Sequence, residues 1–191
     1  MAPENWWLGG CAVLVFVRLL AASSSPIMDC DETFNYWEPL HYLLHGTGMQ
    51  TWEYAPQYAL RSWVYIELHA ALLRLMPGWL VTGPAAFFAL RQCLALICAT
   101  CELLFCRAIA TKFGDRPAFL VLLFSCTSSG MFHAGVALLP STTCMYCVLL
   151  GYAAWFSGRV RLGLAVCPTH HSARFVLSCV FPAAHSHATA Q

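Results

Sequence analysis

"PAFLVLLFSCTSSGMFHAGVALLPSTTCMYCVLLGYAAWFSG", residues 117–158, contains no Asp, Glu, Lys or Arg. That is enough apolar chain for two membrane crossings of about 20 residues each. Pro140-Ser141-Thr142 is the natural break between them. The rest of the sequence has the same character. Its 191 residues are 59% hydrophobic and 10% charged, with mean hydropathy +0.62. Soluble domains carry about 25% charged residues. A core this small cannot bury so much apolar surface, and a lipid solvent removes the contradiction. The fold class expected is all-α, a polytopic transmembrane helical protein. A net charge of +1 supplies no basic field for nucleic acid, so the partner expected is the lipid bilayer.

Eleven cysteines suggest a disulfide framework at first sight. Most lie in apolar runs, where cysteine behaves as a small hydrophobe. Zinc at Cys98-Ala-Thr-Cys101 or Cys144-Met-Tyr-Cys147 would need two more ligands at the same depth. No metal site is expected.

The candidate spans are 6–22, 59–75, 85–106, 118–139 and 142–157. Ala21-Ala22-Ser23 supplies the small residues that would follow a signal peptide's apolar stretch, but no Lys or Arg precedes the first run and Arg18 interrupts it, which favours an uncleaved helix. Residues 23–58 form a loop with Asp29, Asp31, Glu32, Glu38 and Glu53 and no Lys or Arg. Loops retained in the cytosol are enriched in Lys and Arg, so this loop reads as lumenal. Its Tyr and Trp residues suit the headgroup layer. Pro39 can open a short helix and Gly46 and Gly48 can end it, giving two short amphipathic surface helices. His41 and His45 share a helix face at a zinc-compatible spacing, but no third ligand accompanies them and they read as surface histidines.

The segment 59–75 carries Arg61, Glu67, His69 and Arg74 and cannot simply face lipid. Arg91 and Glu102 fall inside 85–106 and read as structural partners within the membrane. The basic loop of Arg107, Lys112 and Arg116 belongs in the cytosol. If 59–75 crosses fully, that loop lands on the same side as the acidic one. Either the segment does not cross, or the charge rule fails. The tail, 159–191, changes character, and its paired histidines (His170-His171, His185-Ser-His187) read as a flexible terminus.

"MDCDETFNYWEP", residues 28–39, sets three carboxylates in four positions. Asp29 can cap a helix, and Glu32 three residues on can return the bond. Asp31 is left over. At helical spacing Asp31 and Glu32 point about 100° apart and need not share a job. The residues allow a general base, a cap or a divalent-cation pair.

The stretch "DCDETFNYWEPLHYLLHGTGMQTWEYAPQYALRSWVYIELHA" (29–70) resembles the first lumenal loop and following helix of the alpha-1,2-mannosyltransferases of N-glycan assembly. These form part of glycosyltransferase family 22, in the GT-C superfamily. "LRQCLALICATCELLFCRAIATKFG" (90–114) and "SSGMFHAGVALLPSTTCMY" (128–146) resemble later stretches in the same order. The resemblance covers roughly residues 1–158, implying the N-terminal part of a GT-C-type fold there, in the endoplasmic reticulum membrane as a multi-pass protein, with 159–191 a divergent tail.

The resemblance implies a donor, dolichyl-phosphate mannose, and an acceptor mannose on a dolichol-linked oligosaccharide. It implies an inverting reaction with an acidic base in the lumenal loop and no cofactor or metal. On this chain the base candidates are Asp31, then Glu32, then Asp29. Arg61 and Ser62 are candidates for the donor phosphate. Trp37, Glu38, Trp52 and Tyr54 are candidates for substrate contact. Family members are longer and cross the membrane more often, so the chain reads as a fragment or truncated isoform. An inactive membrane fragment, or a small transporter subunit, are the alternatives.

Overall fold

The computed structural model describes residues 6–166, and everything described is helix, turn or loop. The histidines of the tail lie outside the described residues. Helix α1 spans Trp6–Ser24 and contains the 6–22 candidate. The hydroxyls of Ser23 and Ser24 donate back to the carbonyls of Leu19 and Leu20, and Pro26 follows. Helix α2 (Cys30–Glu32), a π-helical turn (Thr33–Trp37) and helix α3 (Glu38–His45) run on without a break. The two separate surface helices expected here are therefore one helical run with a π-turn in the middle. Gly46, at φ +73°, ends it in the left-handed conformation, which glycine adopts without a Cβ penalty.

Helix α4 is Trp63–Arg74. Its 12 residues rise about 18 Å, short of the roughly 30 Å hydrocarbon layer. Helix α5, Pro84–Phe113, has 30 residues and rises about 45 Å. It opens on a proline and stops at Gly114, φ +90°. Helices α6 (Asp115–Thr127), α7 (Ser129–Ala134), α8 (Pro140–Phe156) and α9 (Val160–Val166) follow. The 118–139 stretch, expected as one span, is divided between α6 and α7. Ser128 makes the division by accepting the Met131 amide proton and capping α7. The break expected at Pro140 is the start of α8. Two of these helices, α1 and α5, are long and apolar enough to cross a membrane.

Side-chain pairings give the directions. Ser23 meets Gln92, Arg18 meets Glu102, and Leu14 packs with Cys106, so α1 and α5 are antiparallel. Trp6 meets Phe119 and Arg18 meets the Ser125 carbonyl, so α6 runs parallel to α1. Tyr146 reaches the Leu94 carbonyl and Phe156 stacks on Phe105, so α8 runs parallel to α5. The 25–62 loop and the starts of α5 and α8 therefore share one end of the molecule. The basic turn at 107–116 lies at the other.

Within this apolar bundle the strongest polar contact is the fork between Arg18 and Glu102. Nε and Nη2 donate to the two carboxylate oxygens at 2.7 Å each, and Nη2 also donates to the Ser125 carbonyl. Both side chains are fully buried. Glu102 was expected to partner Arg91, its neighbour in the same span. It instead takes Arg18 from α1, because the two sit level on antiparallel helices.

Glu102→Gln strands the guanidinium and should cost about 3–5 kcal/mol, whereas replacing both residues by Met should recover most of that loss. Thermal unfolding in detergent measures both variants. Equal losses in the single and double variants would contradict this account of the pair.

Candidate functional site

The three clustered carboxylates face three ways. Asp29 caps the helical run, its Oδ1 accepting from the Asp31 amide at 2.9 Å. Glu32 does not complete a capping box. Its Oε1 accepts from the Trp37 indole N–H and from the Leu138 backbone N–H, both at 3.0 Å. Glu32 is buried, and the Leu138 bond ties the loop to the chain 106 residues away, at the corner between α7 and α8. The helical step of about 100° turns Asp31 elsewhere, with its side chain half-exposed.

A second polar network surrounds Asp31. Its Oδ1 accepts from Asn35 Nδ2 at 3.1 Å and its Oδ2 from Arg61 Nη2 at 3.1 Å. Arg61 also donates through Nε to Glu53 at 2.7 Å and through Nη1 to the Tyr36 hydroxyl at 2.5 Å. Asn35 Oδ1 accepts from Thr51, and the Asn35 carbonyl accepts from the buried Tyr54 hydroxyl. Burial opposes the charge on Arg61, yet the hydrogen bonds to Glu53 and Asp31 hold its pKa above the ordinary guanidinium value. Burial raises the Tyr36 phenol, with Arg61 working against it, and burial likewise raises Tyr54.

On the Glu32 side lies a cavity of about 200 Å³. Asp29, Glu32, Arg91 and His133 line it, with Met28 and Leu139 among the apolar walls. Among the described residues, one candidate metal cluster brings a ligand atom each from Asp29, Cys30 and Asp31 within 4.8 Å of one another, all exposed.

A model of the Alg9-like mannosyltransferase family matches residues 11–184. The chain belongs to this family. The matched residues run past Gly158, where the likeness read from the sequence stops. The human alpha-1,2-mannosyltransferase ALG9 is 43% identical over 164 residues, which cover 85% of this chain and 26% of the relative. The Schizosaccharomyces pombe alpha-1,2-mannosyltransferase alg9 is 43% identical over 76% of this chain and 25% of its own length. The Arabidopsis thaliana ALG9 is 38% identical over 85% of this chain and 28% of its own. The chain thus spans about a quarter of the length of the relatives it matches. No solved structure matches it.

The residues singled out in this Alg9-like sequence fall into separate groups. Asp31 and Arg61 come together, in a network completed by Tyr36, Asn35 and Glu53. Glu32 and Trp37 come together, and the Trp37 ring packs 4.6 Å from Phe87. Ser62 caps α4 by accepting from the Val64 amide. Glu38 accepts from the Met49 amide. Trp52 is exposed and packs edge-on against Tyr58. His41 and His45 have ring centres 4.7 Å apart. Sequence reasoning missed the place of His133 and of the Leu138 amide, since nothing local ties either to the acidic cluster.

Tyr36 and Tyr54 have folded-state pKa values above the unfolded one. The stability they lend is complete below about pH 10, the ordinary tyrosine value, and is lost as pH rises through the higher folded values. Ultraviolet titration should show the buried phenols ionising late, with Tyr36→Phe and Tyr54→Phe each removing one late step, together with loosening of the 29–62 loop to protease. Ionisation of all tyrosines near pH 10 would contradict the burial argument.

Proposed function

We propose that this chain carries the base-bearing part of an alpha-1,2-mannosyltransferase site. In this reading mannose passes from dolichyl-phosphate mannose to a dolichol-linked oligosaccharide at the lumenal face of the endoplasmic reticulum. The observation that carries the reading is the combination of family membership with an exposed, doubly oriented carboxylate at Asp31. Charge distribution supports the orientation. Asp29, Asp31, Glu32, Glu38 and Glu53 gather at one end, and Arg107, Lys112 and Arg116 at the other, as the positive-inside rule expects of a lumenal and a cytosolic face. The short α4 supports the same arrangement, since the loop and the start of α5 need no crossing between them. The bundle is then the first part of a polytopic GT-C-type fold.

Asp31 is the base in this scheme. A carboxylate offers about four lone-pair sites, so its bonds to Asn35 and Arg61 leave room for a substrate proton. The acceptor hydroxyl oxygen bonds to the anomeric carbon of mannose. The bond from that carbon to the phosphate oxygen breaks, its electron pair leaving with dolichyl phosphate. The hydroxyl proton passes to Asp31. Attack opposite the leaving group turns a beta-linked donor into an alpha product. Glu32 anchors the loop, Asp29 caps it, and Arg61 orients the base. No cofactor enters the step.

The covered length favours one second reading: a membrane segment that presents these carboxylates without completing the reaction. A mannose-transfer assay in microsomes lacking endogenous activity separates the two. Transfer that Asp31→Asn reduces at least ~100-fold, with expression unchanged, is the expected result. Absence of transfer from a stably inserted chain would sink the catalytic reading of these residues and leave the second.

A further inference from the structure

Arg91 is a buried cation that no carboxylate among the described residues contacts; Glu32, which lines the same cavity, acts on it only through its charge. It is 3% exposed. Its Nε has no hydrogen-bond partner, and its Nη2 reaches only the Ala21 carbonyl, at 3.4 Å. Among the described residues no carboxylate stands at ion-pair distance from it. Glu102, the acidic residue of the same helix, is fully engaged by Arg18. The Phe87 ring, 5.1 Å from the guanidinium carbon, offers only its face. An unpaired guanidinium is costly in such surroundings, and this one borders the cavity beside the acidic loop.

His133 borders the same cavity. Ser25 Oγ holds its Nδ1 at 2.7 Å, which fixes the ring and leaves Nε2 for a ligand. The cavity's two carboxylates are already supplied with donors. Glu32 has the Trp37 and Leu138 N–H groups, and Asp29 has the Asp31 amide. The group missing a partner is the cation. A planar guanidinium fork matches two oxygens of a phosphate. The volume of about 200 Å³ admits a phosphate group, being several times the ~30 Å³ share of one water. Arg61, the arginine that the sequence offered for phosphate, is committed to Glu53, Tyr36 and Asp31.

We propose that Arg91 and His133 form a phosphate-anion site in this cavity and hold the leaving phosphate of the lipid-linked donor. The inference rests on the mannosyl-transfer reading for the identity of the donor. Asp29 lines the cavity and has a carboxylate oxygen within 4.8 Å of one of Asp31, so the base stands near the cavity. Inversion requires base and leaving group on opposite faces of the sugar.

The test is binding of a labelled polyprenyl phosphate to the full chain in neutral-lipid nanodiscs, competed with unlabelled polyprenol and with inorganic phosphate. The wild-type chain should prefer polyprenyl phosphate over polyprenol at least tenfold. Arg91→Gln should abolish that preference, Arg91→Lys should keep part of it, and His133→Asn should weaken it several-fold. Arg74→Gln, in an exposed pair, should leave it intact. Preference retained by Arg91→Gln at unchanged helix content overturns the inference. So does absence of preference in the wild type, or displacement of the probe by inorganic phosphate as effectively as by polyprenyl phosphate. Arg91-dependent binding without mannose transfer leaves the phosphate site standing and removes the transferase reading, and with it the role of the bound phosphate as a leaving group. Transfer with an unchanged donor KM in Arg91→Gln does the reverse.

Discussion

The fork between Arg18 and Glu102 fixes where everything else can go. Two charges inside an apolar bundle must find each other, because neither water nor lipid will compensate them. Their pairing sets the register of α1 on α5. That register lays Ala21 and Ala22 against Ala95 and brings Ser23 to Gln92. It also brings the end of α1 and the start of α5 to one end of the molecule. The 25–62 loop connects into that end and needs a second fastening. Glu32 provides it, reaching the Leu138 amide across 106 residues. One buried ion pair aligns the helices, and one buried carboxylate closes the loop over them.

The acidic cluster then resolves by geometry. Successive helical residues diverge by about 100°, so adjacent carboxylates meet different neighbours. Asp29 precedes the helix and caps it. Glu32 turns inward to the α7–α8 corner. Asp31 turns outward to Arg61 and Asn35. The π-turn that follows carries Asn35, Tyr36 and Trp37, each of which bonds to one of these networks. Such turns inside α-helices often mark functional sites.

Part of this was legible in the sequence. The divergence of Asp31 from Glu32 follows from helical spacing, and the breaks at Gly46 and Pro140 follow from residue chemistry. The cap at Asp29 was legible, but the return bond from Glu32 was not. A long-range backbone donor outcompeted the local one, and no local pattern announces Leu138. The neutral stretch 117–158 hid its division at Ser128, because an apolar composition marks solvent rather than helix ends. The partner of Glu102 was also hidden. Arg18 and Arg91 are equivalent candidates until the register of α1 on α5 is known, and the outcome decides which arginine is left without a carboxylate partner.

The register puts the acidic loop and the basic 107–116 turn at opposite ends of the bundle, and in the proposed topology these ends lie on opposite sides of the membrane. The direct measurement is glycosylation of an acceptor tripeptide, flanked by flexible linkers, inserted after Gly48 or after Gly114 in microsomes. The expected result is modification of the first insertion and none of the second. Modification of both, or of the second alone, would contradict the antiparallel arrangement of loop and turn on which the site depends.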